Sequence, residues 1–64
     1  MRNQEETLQQ RAERYAEKHK AAYETWDNGG ITKFYLDDAG VLCIHYENGR
    51  WYHYSEADGE LFWW

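Results

Sequence analysis

Three glycines in the second half of the chain, Gly40, Gly49 and Gly59, follow one another at intervals of nine and ten residues. Each ends a stretch that favours a turn, and the runs between them are rich in β-branched and aromatic residues. Short strands joined by such tight turns pair with their neighbours along the chain. The spacing therefore predicts an antiparallel meander of four strands, over about residues 31–36, 41–47, 50–55 and 60–64.

The first half predicts one helix, over about residues 4–27. Apolar and small residues recur there at spacings of three or four, which places them on one face: Leu8, Ala12, Tyr15, His19, Ala22 and Trp26. Asn3 is the predicted N-cap, with Glu6 completing a capping box, and Asn28-Gly29-Gly30 ends the helix. Such a helix is about 36 Å long, whereas strands of this length span about 20 Å. We therefore expect the helix to extend past the sheet.

These elements predict a single domain, residues 1–64, of the α+β class. One long N-terminal helix packs on one face of the four-stranded antiparallel meander. A chain of 64 residues buries only about 60% of its unfolded surface. Cys43 is its only cysteine, so no disulfide within the chain reinforces the core. The single thiol and the lack of a leader or a long apolar run predict a cytoplasmic protein with no membrane contact.

The turn lengths decide which residues share a face of the sheet, because side chains alternate along a strand. Three-residue loops at 38–40 and 57–59 and a two-residue loop at 48–49 place one set on the helix side: Phe34, Leu36, Leu42, Ile44, Tyr46, Trp51, His53, Leu61 and Trp63. The other side receives Lys33, Tyr35, Cys43, His45, Tyr52, Tyr54, Phe62 and Trp64. A three-residue loop at 47–49 would instead turn Tyr52 and Tyr54 inward and Trp51 and His53 outward. This alternative stays open.

The second face predicts a binding surface. The chain has twelve aromatic residues, and one helix covers only one face of the sheet. Five rings are left over on the other face: Tyr35, Tyr52, Tyr54, Phe62 and Trp64. An exposed patch of this kind usually marks an interface. The first and third turns lie at one end of a meander, so Asp38 and Asp58 form an acidic rim beside these rings.

Enzyme motifs are missing from the sequence. It has no glycine-rich phosphate loop and no nucleophile elbow. Cys43 and His45 are two residues apart on one strand, so they could act as thiolate and base or as two metal ligands. Zinc needs further ligands, and the predicted register directs His53 and His19 elsewhere. We therefore expect no catalytic residues, no metal, no cofactor and no enzyme activity.

The function predicted from these patterns is a small protein-interaction module. Its net charge of −5 favours a basic partner, for instance a nucleic-acid-acting protein inhibited by a small protein of the kind that mobile elements carry. A second copy of the chain, giving a homodimer, is the other protein partner considered. Nucleic acid is disfavoured because the sheet has only Lys33 and Arg50 for phosphates. Nucleic-acid or small-ligand binding on the aromatic face and a purely structural accessory role remain the alternatives.

Overall fold

A computed structural model describes residues 6–64 of the chain. It contains one helix and four strands: α1 (Leu8–Ala21), β1 (Ile31–Leu36), β2 (Leu42–Tyr46), β3 (Trp51–Ala57) and β4 (Glu60–Trp63). The strands form one antiparallel sheet in the order β1-β2-β3-β4, and α1 packs against it. The predicted α+β class, with a helix on one face of a four-stranded meander, is confirmed.

Helix α1 has 14 residues and is shorter than predicted. Thr7 is its N-cap: its hydroxyl accepts the Gln10 N–H at 3.0 Å, and the Gln10 side chain accepts the Thr7 N–H at 2.9 Å. The predicted cap, Asn3, lies outside the described residues. Fourteen residues span about 21 Å, which matches the length of the strands. The predicted overhang is therefore wrong.

The helix ends early because residues 22–30 fold back over the sheet. The Trp26 ring packs at a steep angle against His19 and Tyr46, with ring centroids 5.0 and 5.3 Å apart, and its Nε1–H donates to the Gly29 carbonyl at 3.0 Å. A helix continuing past the sheet would lose these contacts, and packing contributes more to helical stability than propensity does. Ala22, predicted on the buried stripe, is exposed.

The first hairpin has the predicted register over most of its length. Leu36 lies opposite Leu42 and Phe34 opposite Ile44, around a three-residue loop at 38–40. An irregularity near the start of β1 places Ile31 opposite Tyr46, where Thr32 was predicted. The alternation of faces in β1 and β2 beyond this point is as predicted.

The second turn is one residue longer than predicted. Tyr46 O accepts the Gly49 N–H at 2.9 Å and Tyr46 N–H donates to Arg50 O at 2.9 Å, which gives a three-residue loop at 47–49. Tyr52 therefore lies opposite Ile44, and Tyr54 lies opposite Leu42. This is the register left open as the alternative, and the two-residue loop at 48–49 is wrong.

The third turn is one residue shorter than predicted. Asp58 and Gly59 have φ angles of 54° and 80°, as a two-residue type I′ turn requires, and Ala57 pairs with Glu60. The second turn is one residue longer than predicted and the third is one residue shorter, so the side chains of β4 lie on the predicted faces. Phe62 therefore remains on the face turned away from the helix, whereas the side chains of β3 lie on the faces opposite to those predicted.

The core between α1 and the sheet therefore contains two residues that were predicted outside it, Tyr52 and Tyr54. The fully enclosed side chains are Ala12, Tyr15, His19, Leu42, Ile44, Tyr46 and Tyr54. A polar chain crosses this core: Tyr46 OH lies 2.6 Å from Tyr54 OH, which lies 2.7 Å from His19 Nδ1. Leu36, predicted in the core, is 48% exposed at the end of the edge strand β1.

Candidate functional site

The sheet face turned away from α1, called the outer face below, is the candidate site. Its members alternate along the strands: Lys33, Tyr35, Cys43, His45, Trp51, His53, Ser55, Phe62 and Trp64. Three large side chains on it are about half exposed, Trp51 at 47%, Phe62 at 49% and Trp64 at 59%. Because α1 packs on the opposite face, no described element shields these rings.

Rings on the outer face form a continuous row from β1 to the chain end. His45 stacks on Trp51 and His53 stacks on Trp64, with centroids 5.1 and 5.2 Å apart and nearly parallel planes. Trp51 lies 5.0 Å from His53, and the Tyr35 hydroxyl bonds His45 Nε2 at 3.1 Å. Each ring limits the rotation of the next. A surface ordered in this way loses little conformational entropy when it binds a partner.

Cys43 lies at the centre of the outer face, but only 1% of it is exposed. Larger residues flank it on both sides, since Tyr35 and His53 are its cross-strand partners. Burial raises the pKa of the Cys43 thiol, and the charge of Asp37 acts in the same direction. His45 uses Nε2 to bond Tyr35, so the structure does not show the thiolate–base pair considered from the sequence.

The acidic end of the outer face is formed by the two turns that the meander predicts to be neighbours. Asp38, Asp58 and Glu60 are exposed there. Glu56 is held differently: both of its oxygens bond the Arg14 guanidinium, at 2.9 and 3.2 Å, and these bonds lower the pKa of its carboxyl. Arg14 therefore compensates part of the charge of Glu56 while it also bonds Glu6, whereas Asp38, Asp58 and Glu60 make no ion pair within residues 6–64.

Positive charge on this side of the sheet is sparse. Among the described residues the outer face has one cation, Lys33, whose Nζ lies 5.5 Å from the centre of the Tyr35 ring. Arg50 is exposed in the turn at the end opposite the acids. The outer face thus combines an aromatic centre with an acidic end.

The predicted site residues are divided between the two faces. Tyr35, Phe62 and Trp64 lie on the outer face, with Asp38 and Asp58 at its acidic end. Tyr52 and Tyr54 face α1 instead, and Tyr54 is 1% exposed, so their prediction as outer-face residues is wrong. The cause is the three-residue loop at 47–49. The same loop brings two residues outward that the preferred register had placed in the core, Trp51 and His53.

Comparison of the chain with protein-family models, with curated proteins and with solved structures finds no match in any of the three. Within residues 6–64, no helix is long and apolar enough to cross a membrane.

Proposed function

We propose that this protein is a non-enzymatic interaction module whose outer face binds a basic surface of another protein. One observation supports the proposal above all: Trp51, Phe62 and Trp64 are each about half exposed on a sheet face that α1 does not cover. Apolar patches on a small protein are uncommon unless another molecule covers them. Tryptophan is also enriched among the residues that contribute most of the binding energy at interfaces.

Charge favours a basic partner over a second copy of the chain. Asp38, Asp58 and Glu60 lie at the end of the outer face nearest Phe62, and the chain has a net charge of −5. Two copies meeting through this face would bring like charges together, whereas a basic surface would be attracted. Proteins that grip nucleic acid have basic grooves of this kind. An inhibitor of such a protein, carried by a mobile element and acting in a cytoplasm that keeps Cys43 reduced, is the specific role we propose.

The small area of the outer face indicates that the acidic turns take part in binding. Four strands about 4.8 Å apart and about six residues long cover a patch of roughly 15 by 20 Å. Stable interfaces bury about 800 Å² on each partner, which is more than a patch of this size offers. A partner must therefore extend from the rings onto the turns that contain Asp38 and Asp58. Both parts should then contribute to association.

The alternative ligands fit the structure less well. Nucleic-acid affinity depends on Lys and Arg at the phosphates, and Lys33 is the one cation of the outer face within the described residues. Two surface clefts measure about 200 and 240 Å³ and are lined by residues of the helix–sheet junction and of the segment before β1. Small-molecule sites are typically about 300–1,000 Å³. Neither cleft therefore favours a small ligand.

The test is affinity capture from native lysate with two double variants. Trp51→Ser/Trp64→Ser removes exposed rings, and Asp38→Lys/Asp58→Lys reverses the acidic end. The matched control, Glu17→Lys/Glu24→Lys, makes the same charge change at exposed positions in and just after α1. We expect the first variant to lose a partner that the wild type and the control retain.

Kinetics with the captured partner separate the two contributions. The ring variant should dissociate faster, and the acid-reversal variant should associate more slowly with a weaker dependence on salt. Equal capture by all variants, or an equal effect of the control, would overturn the proposal. Light scattering of the wild type provides a further check. A dimer that the ring variant dissociates would show that the outer face binds a second copy instead.

A further inference from the structure

Three different metal-binding groups meet around Cys43 on the outer face. Asp37 directly follows β1, Cys43 belongs to β2 and His53 to β3, and Cys43 lies directly opposite His53. One donor atom from each, a carboxylate oxygen, the thiol sulfur and an imidazole nitrogen, lies within 4.8 Å of the other two. The sequence prediction excluded zinc because it placed His53 on the helix side. The three-residue loop at 47–49 removes that objection.

We propose that Asp37, Cys43 and His53 bind a zinc ion that keeps one coordination position open to solvent. Oxygen, sulfur and nitrogen donors suit Zn²⁺, and three protein ligands with one open position is a common zinc arrangement. Calcium and magnesium are disfavoured because they prefer sites built from oxygen ligands. The site does not depend on the proposed function of the outer face.

The donor positions require only a small adjustment. A tetrahedral zinc ion holds such donors about 3.3–3.7 Å apart, so atoms now within 4.8 Å must approach by about 1.5 Å at most. Asp37 and His53 are half-buried and each has rotatable side-chain bonds. Cys43 makes only a 3.8 Å contact from Sγ to the Val41 carbonyl, which coordination would replace. A thiol that coordinates zinc loses its proton.

Surrounding contacts already orient two of the ligands. Asp37 Oδ1 accepts the backbone N–H groups of Ala39 and Val41, both at 2.9 Å, which leaves Oδ2 for a metal. The His53 ring is held between Trp51 and Trp64, at centroid distances of 5.0 and 5.2 Å. Supporting contacts of this kind orient the ligands in known metal sites and are important for affinity.

The test is titration of the untagged protein with Co²⁺, followed by competition with Zn²⁺. Co²⁺ bound by a thiolate gives a charge-transfer band in the near ultraviolet, and tetrahedral Co²⁺ absorbs visible light strongly. We expect one Co²⁺ per chain and displacement by Zn²⁺. The charge-transfer band should disappear in Cys43→Ser. His53→Gln and Asp37→Asn should each weaken Co²⁺ binding about tenfold or more. Losing a residue that only orients a metal ligand already weakens metal affinity by about this much.

The controls distinguish coordination from a loss of folding. Asp37→Asn keeps the oxygen that accepts the turn amides, and His45→Gln changes a histidine of the same face that lies outside the cluster. Circular dichroism verifies that each variant folds. If Cys43→Ser does not fold, the Asp37 and His53 variants decide the question. Absence of a thiolate–cobalt band in the wild type would overturn the proposal, as would an equal loss of affinity in His45→Gln and His53→Gln.

Discussion

The hydroxyl of Tyr54 connects the polar groups of the core, and its removal gives a sharp prediction. It lies 2.7 Å from His19 Nδ1 and 2.6 Å from the Tyr46 hydroxyl, on a side chain that is 1% exposed. Tyr54→Phe removes this oxygen, preserves the ring, and leaves two buried groups without partners. His19 Nε2 already has no partner among residues 6–64, so within that range both nitrogens of the ring would then be unpaired.

The expected loss is large for a protein of this size. A buried polar group without a partner costs about 1–3 kcal/mol, so Tyr54→Phe, which leaves two such groups, should lower the free energy of unfolding by about 2–6 kcal/mol. A 64-residue domain is stable by only about 3–10 kcal/mol in total. Tyr46→Phe breaks one bond and preserves the pair of Tyr54 and His19, so it should cost about 1 kcal/mol.

Urea unfolding followed by circular dichroism measures these differences. Tyr35→Phe is the matched control, because its hydroxyl bonds His45 on the half-exposed outer face and should contribute about 0.5 kcal/mol. The loss of stability should be greatest for Tyr54, intermediate for Tyr46 and smallest for Tyr35. Equal small effects of Tyr54→Phe and Tyr35→Phe would refute the reasoning, because they would place Tyr54 on the outer face.

Two further predictions concern pH and backbone geometry. Burial lowers the pKa of His19, so the unfolded chain binds a proton near pH 6.5 while the folded protein does not. Stability should therefore fall by about 1.4 kcal/mol per pH unit below about 6.5, until the pH reaches the folded-state pKa. Urea midpoints from pH 7 to 5 measure this, and an equally steep fall in His19→Gln would contradict it. Gly29→Ala should lower the melting temperature more than Gly40→Ala. Both have φ near +80°, but a Cβ at Gly29 would lie 2.9 Å from Glu47 Cβ and one at Gly40 meets open space; equal shifts would contradict this.

Local signals in the sequence predicted the class of fold and the first hairpin. The stripe of small and aromatic residues marked the buried face of α1, where Ala12, Tyr15 and His19 are indeed enclosed. Asp37 and Gly40 define the first turn, since Gly40 N–H donates to Asp37 O and Gly40 adopts a φ of +82°. These features depend on residues only a few positions apart, so they can be inferred from the sequence alone.

The second turn could not be inferred in this way, because distant residues determine it. Asn48 N–H donates to Asn28 O at 3.1 Å, and the two asparagine side chains bond at 2.7 Å. Glu47 N–H donates to Gly30 O, and the Glu47 side chain accepts the Gly30 N–H, both at 3.0 Å. The segment before β1 thus holds the loop at three residues. Nothing near Asn48-Gly49 distinguishes it from Asp58-Gly59, which forms a two-residue turn.

The sequence therefore predicted that one sheet face is aromatic, but not which residues form that face. That one sheet face keeps surplus rings follows from composition and from having one helix, and it holds for either register. Which residues of β3 lie there depends on the length of the second turn, so Trp51 and His53 replaced Tyr52 and Tyr54. The cluster of Asp37, Cys43 and His53 depends on the same turn, and for this reason it could not be predicted from the sequence alone.

We expect that the rings of the outer face are not needed for folding, and a pair of double variants measures whether this holds. Trp51→Ser/Trp64→Ser removes two rings from the outer face, and Tyr15→Ser/Tyr54→Ser removes two enclosed rings from the core side. Buried aromatic rings cost about 3–5 kcal/mol each when truncated, whereas half-exposed stacked rings cost about 1 kcal/mol. Urea unfolding should show a folded outer-face variant and a core-side variant that is unfolded without denaturant. Equal stabilities, or an unfolded outer-face variant, would contradict the claim.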